Sequence, residues 1–141
     1  EIANNGPWVL QPGSYEAQSI GGNLASLNLL QGTEYYPHKD SPIVFIEDIA
    51  RNGIGYFERS LQSLLHVRKI GALLIGRMQV ESDIDREYLV SCVSRIKELR
   101  GVPVIANLDF GHTLPMATLP IGGVIEVDAK PESCKINICK H

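Results

Sequence analysis

The run PIVFIED, residues 42–48, decides how the chain is read. Four apolar residues, Ile43 to Ile46, follow a proline and end on two acids. That is too short for a helix and shows no wet face, so it fits a strand buried on both sides. Two further runs of this kind follow, ALLIG (72–76) and VPVIANLDF (102–110). The segments between them carry helical periodicity. YFERSLQSLLHV (56–67) places Phe57, Leu61, Leu64 and Leu65 on one face. SDIDREYLVSCVSRIKELRG (82–101) predicts the clearest helix, opened by Ser82 with Asp85 three residues later and closed by Gly101. Ahead of the first buried strand, NLASLNLLQG (23–32) has Leu24, Leu27 and Leu30 at helical spacing, with Asn23 as N-cap and Gly32 as stop. WVLQPGSYEAQSIGG (8–22) alternates loosely around Pro12, Gly13 and Gly22 and predicts edge strands. GVIEVDAKPESCKINIC (123–139) predicts a terminal hairpin. Strand, helix, strand, helix, strand gives one compact α/β unit over residues 1–141: a small parallel sheet, flanking helices, and antiparallel strands at both ends.

The bulk properties narrow the functional classes. The chain has 141 residues, 44% apolar and 21% charged, with a net charge of −3. Scattered basic residues in an acidic chain argue against nucleic acid or an anionic membrane as partner, since both need a concentrated basic face. No segment reaches the ~18 consecutive apolar residues of a membrane helix, and no signal peptide is visible. Cys92, Cys134 and Cys139 are an odd count without a C-x-x-C spacing. They read as three reduced thiols of a cytoplasmic protein. His38, His66, His112 and His141 are dispersed, with no ligand spacing, so no metal is expected. The chain opens on Glu1 and not on methionine, which raises the expectation of a piece of a longer protein.

Ligands of α/β sheets collect at the carboxyl ends of the parallel strands. There the first buried strand delivers Glu47 and Asp48, and the third delivers Asn107, Asp109 and His112. If those strands are neighbours, a carboxylate can meet the imidazole across 65 positions of sequence and orient it as a general base. Alternation puts Val44, Ile46 and Asp48 on one face and Phe45 and Glu47 on the other, which leaves the choice of acid open. A nucleophile for that base is absent: no G-x-S-x-G elbow occurs, and the serines lie in turns, at caps or within helices. The IGGNL turn (20–24) could offer backbone N–H groups to an anion. Two other readings stand beside the catalytic one. One is a non-catalytic anion-binding module built on that turn. The other is a dimerisation domain whose polar strand ends are incidental.

Taken in order, IGGNLASLNLLQGTEYYP, IVFIEDI, RSLQSLL, LLIGRMQ and VPVIANLDFGHTLPMATLPIGG resemble the carboxyl-terminal domain of the S66 serine peptidases over about residues 8 to 128. That family includes the LD-carboxypeptidases and the microcin C self-immunity hydrolases. NLLQGTEY and GHTLPM are more similar to the microcin-immunity, MccF-like branch. The resemblance implies a swivelling β/β/α architecture and a Ser–Glu–His triad, with its glutamate on Glu47 and its histidine on His112. It places the serine, in a Gly-Tyr-Ser-Asp turn, on an amino-terminal domain. The Ser82-Asp83 pair of this chain opens a surface helix and does not match that turn. Gly22 and Asn23 would lie near the interdomain cleft as substrate contacts. The implied partners are the chain's own amino-terminal domain, a peptide or aminoacyl-nucleotide substrate and a second copy in a homodimer. No cofactor is implied, and the domain alone should be inactive.

Overall fold

The computed structural model describes residues 6–141. Seven strands form one mixed sheet in the order β1-β5-β4-β3-β2-β6-β7. They are β1 (Trp8–Gln11), β2 (Gly13–Asn23), β3 (Ile43–Glu47), β4 (Ala72–Gly76), β5 (Val104–Leu108), β6 (Val124–Lys130) and β7 (Ser133–Lys140). Strands β2 to β5 run parallel in sequence order, while β1, β6 and β7 pair antiparallel. Three helices fill the crossovers: α1 (Leu24–Asn28), α2 (Gly53–Val67) and α3 (Arg86–Arg95).

All three helices pack on one face. Leu24 and Leu27 of α1, Phe57, Leu61 and Leu64 of α2, and Leu89, Cys92 and Val93 of α3 share a core with Val44, Ile46, Leu73, Ile75, Val104 and Ala106 of the strands. The opposite strand face carries Ile43, Phe45, Ala72, Leu74 and Ile105, which pack against Ile125, Val127 and Ala129 of the terminal hairpin. The sheet therefore folds back over itself. Helices, parallel strands and hairpin make three layers with a core in each gap, the β/β/α arrangement. Because both faces of β3 and β4 are covered, all five residues of each are buried, which is why their sequences lack polar alternation.

Two local expectations need correcting, and one condition is not met. Strand β2 is no edge strand; its first half pairs with β6 and its last five residues pair with β3, so it joins the two sheet layers. At Gly21 a Cβ would collide with the backbone and ring of Phe45, so glycine there is what lets β2 lie against β3. The helix expected over 82–101 is shorter. Asp83 takes a left-handed conformation, Asp85 caps α3 by accepting from Tyr88 N at 2.8 Å, and Ile96 is extended. Ser82 serves the preceding turn instead, donating to Gln79 O at 2.6 Å. Finally, β3 and β5 are not neighbours, since β4 lies between them.

That last fact makes the tip of β4 decisive. The connection from β5 to β6 must cross it to reach β3. Gly76 ends β4, and a Cβ there would stand 2.5 Å from Phe110 O. The missing side chain is what lets the connection pass. On the far side, the Phe110 ring meets Phe45 edge-on at 5.9 Å between centroids. Gly76→Ala should therefore destabilise the domain by about 1–3 kcal/mol, read as a lowered denaturant midpoint. An unchanged midpoint would show that the crossing tolerates a methyl group.

The thiols follow the layers. Cys92 is fully buried, and burial pushes it up to about 11, with the Glu58 carboxylate adding to the shift and Arg95 opposing it. Cys134 is partly buried, which raises it too, and Cys139 is exposed. Alkylation of the native protein at pH 8, followed by peptide mass mapping, should modify Cys139 first and Cys92 only after denaturation. Native-state labelling of Cys92 at the rate of Cys139 would contradict this packing.

Candidate active site

The rim formed by the carboxyl ends of β2, β3, β4 and β5 gathers the polar residues singled out above. Parallel register sets Gly22 opposite Ile46 and Asn23 opposite Glu47. Glu47 is the last residue of β3, on the same face as Phe45. His112 stands in the connection after β5, two residues beyond Phe110. Its Nδ1 is hydrogen-bonded to Glu47 Oε2. The Glu47 side chain is 12% exposed and that of His112 is 47% exposed. A carboxylate accepts only, so Nδ1 carries the proton and Nε2 is the nitrogen left for another group. Asp48 faces elsewhere: it is buried, and its Oδ1 accepts from Ile49 N at 2.8 Å. The structure thus brings His112 to Glu47 and not to Asp48.

Two backbone features carry the imidazole to that carboxylate. The first is a bulge in β5. Leu74 is opposite Ile105 but Gly76 is opposite Leu108, so β5 holds one extra residue. Asn107 supplies it in a left-handed conformation, φ +58°, which asparagine tolerates better than most residues. Beyond the bulge the alternation inverts: Leu108 and Phe110 join Ile105 on the hairpin side, where strict alternation would have turned them to the helices. The second feature is Gly111 at φ +109°. A Cβ there would lie 3.0 Å from Glu47 Cβ, so backbone, not side chain, rests against the acid.

Of the other residues considered, Asn23 is half-buried and caps α1, its Oδ1 accepting from Ser26 N at 3.1 Å. Gly22 has open space where a Cβ would be. Asn107 and Asp109 are not part of the imidazole contact; both are held by Arg77, a residue the sequence reading passes over. Arg77 is buried at 3% exposure, directly after Gly76. Its guanidinium contacts Asn107 Oδ1 at 3.3 Å, Leu114 O at 3.0 Å and the Asp109 carboxylate. A cation placed immediately behind a buried strand was the available signal, because a buried charge requires partners.

The surroundings are built for cover. Leu114 and Met116, two and four residues beyond His112, are 74% and 59% exposed. A cavity of about 890 Å³ opens at the opposite rim, lined by His38, Lys39, Ser41, Arg68 and Lys69 among others, with neither member of the pair in its wall. Among the described residues no three histidine, cysteine or carboxylate side chains converge as a metal site. No helix among them is long and apolar enough to cross a membrane.

Comparison with known proteins bears on what such a rim does. Residues 16–127 match the LD-carboxypeptidase C-terminal domain family. "Putative carboxypeptidase YocD" of Bacillus subtilis is 46% identical over 141 residues, covering 98% of this chain and 43% of that protein. The microcin C7 self-immunity protein MccF of Escherichia coli is 32% identical over 123 residues, covering 82% of this chain and 35% of that protein. The crystal structure of an MccF-like protein from Bacillus anthracis superposes with a TM-score of 0.94 at 35% identity, covering 99% of this chain and 44% of that one. The chain spans about two-fifths of the length of the relatives it matches. With a fold shared at this level and a family match over most of its length, the chain belongs to the LD-carboxypeptidase C-terminal domain family of the S66 peptidases.

Proposed function

We propose that this domain supplies the acid–base half of a serine carboxypeptidase-type hydrolase, with Glu47 orienting His112 and the nucleophilic serine coming from an amino-terminal domain. One observation carries the reading: an imidazole and a carboxylate 65 residues apart meet at a strand-end rim, the acid mostly buried and the ring half-exposed. The exposed apolar side chains of Leu114 and Met116, close behind His112 in the chain, support a second domain seated there.

The chemistry follows from the geometry. Nδ1–H is committed to Glu47, which fixes the tautomer and stabilises the imidazolium. Nε2 accepts the serine Oγ proton as the oxygen attacks the scissile carbonyl. The same proton passes to the leaving amine when the C–N bond breaks, leaving an acyl-enzyme. Water then repeats the sequence, giving its proton to Nε2 and releasing the acid. Asn23, whose Oδ1 is occupied by the helix cap, retains its Nδ2 donors for a substrate carboxylate or carbonyl beside Glu47. The substrate class is an amide near a free carboxylate. The names of the relatives favour a peptide or a microcin-type compound, and the match to the MccF-like structure favours the latter branch.

In the full-length protein, His112→Ala and Glu47→Gln should each lower kcat for a peptide amide by roughly 10³- to 10⁴-fold, and Asp48→Asn by far less. Equal losses at Glu47 and Asp48 would overturn the assignment of the acid. The 141-residue domain alone should not hydrolyse that amide; turnover by it that His112→Ala abolishes would show that a nucleophile resides within this chain. By nitrogen-15 NMR the neutral His112 ring should be the Nδ1–H tautomer, shifting toward Nε2–H in Glu47→Ala, whereas a wild-type ring in the Nε2–H form would break the proposed pair.

A further inference from the structure

We infer that Arg77 is a positioning residue for His112: its guanidinium pins both ends of the segment Asp109–Leu114 and so sets how much of the time the imidazole sits on Glu47. This deepens the hydrolase reading and rests on it for its catalytic consequence.

The geometry is specific. Arg77 leaves β4 just after Gly76, beneath the point where the connection from β5 crosses. Its own backbone N–H donates to Leu108 O at 2.9 Å, which fixes the base of the side chain to the last residue of β5. From there one guanidinium reaches three places. Nε donates to Asn107 Oδ1 at 3.3 Å, holding the bulge that re-aims the strand. Nη2 pairs with the Asp109 carboxylate, three residues before His112. Nη1 donates to Leu114 O at 3.0 Å, two residues after it. The segment between the last two anchors holds Phe110, Gly111, His112 and Thr113, and Gly111 is the residue whose backbone lies against Glu47.

Ala117 N donates to Asp109 O, and Pro120, Gly122 and Gly123 are tied to Ser19, but the Arg77 anchors are the ones that stand nearest His112 on both sides. Residues 109–123 contain no helix or strand, and Gly111 and Gly122 add backbone freedom. Phe110 is packed against Phe45, but His112 is half-exposed and Leu114 is largely so. A free connection would sample many placements of the ring, and only one puts Nδ1 on Glu47. Lysine cannot replace the fork. Its three donors all sit on one nitrogen, whereas the planar guanidinium meets three anchors from three separate nitrogens at fixed angles. Arg77 is nearly fully buried and reaches the imidazole only through backbone, so it acts on placement and not on the reacting atoms.

The test separates placement from general stability. In the 141-residue chain, Arg77→Lys, Arg77→Met and Asp109→Asn are compared with wild type by nitrogen-15 NMR of the His112 ring. Each folded variant should lose part of the Nδ1–H tautomer to Nε2–H, Arg77→Met most and Asp109→Asn least. Asp109 is 39% exposed at its side chain, so its replacement keeps a folded variant available if both Arg77 variants unfold. In the full-length enzyme the same variants should lower kcat by roughly 10- to 100-fold with little change in KM, and Arg77→Lys should not restore it. A wild-type tautomer in folded Arg77→Met or Asp109→Asn, or a loss confined to KM, overturns the proposal. The tautomer is read without turnover, so the two claims fail separately. If full-length activity is indifferent to His112→Ala while the tautomer shift persists, the hydrolase reading falls and the positioning stands.

Discussion

A strand end without a side chain governs the rim where Glu47 and His112 meet. The connection from β5 can reach β3 only across the tip of β4, and backbone passes there because Gly76 presents no Cβ to Phe110. Everything that follows is arranged around that crossing: the ring of Phe110 seated on Phe45, Gly111 against Glu47, and His112 bonded to the same acid. Van der Waals contact sets the limit, and the limit is hard. Interiors are close-packed, so a shift of even one methyl group at a crossing is passed on to the residues above it.

The same rim shows how buried polarity is tolerated. Arg77 is removed from water, at a cost that only good partners offset. It finds a side-chain amide, a carboxylate and a carbonyl, all drawn from β5 and the connection after it. Breaking such a set by removing one partner typically costs several kcal/mol because the remaining charge stays buried. The cluster therefore links two requirements, the register of the bulge and the course of the connection, in one side chain. Glu47 differs from it in kind. It is mostly buried too, but its partner is a half-exposed ring that keeps one nitrogen for outside use. An arrangement of that sort is costly as mere scaffolding and useful for moving a proton.

Much of the fold was legible because burial on both faces leaves a simple mark. The runs at 43–47 and 72–76 carry no polar alternation, and both strands are enclosed by a layer on each face. The α2 stripe of Phe57, Leu61, Leu64 and Leu65 faces the core as its spacing required. Asn23 caps α1 as expected. The signals failed where local rules compete. Ser82 and Asp85 both suit a helix start, and the structure uses Asp85 because Asp83 turns left-handed after the short turn that Ser82 closes. For β2, alternation broken by glycine suggests an edge, yet Gly21 is there because Phe45 of the neighbouring strand leaves no room for a side chain.

The sequence by itself determined the buried strands and their helices, the rim and the pool of residues from which a site could be drawn, since hydrophobic period, caps and turn residues act over a few positions of chain. The family resemblance added Glu47 and His112 as a pair. Only the tertiary structure decided that they touch. Alternation along β5 would have sent Leu108 and Phe110 to the helices, and a one-residue bulge at Asn107 reversed it. Strand order then put β4 between the partners, and Gly76 and Arg77 carried the connection across. Such contacts join residues far apart in the chain, and no local pattern encodes them, because their energy depends on what the rest of the fold places alongside.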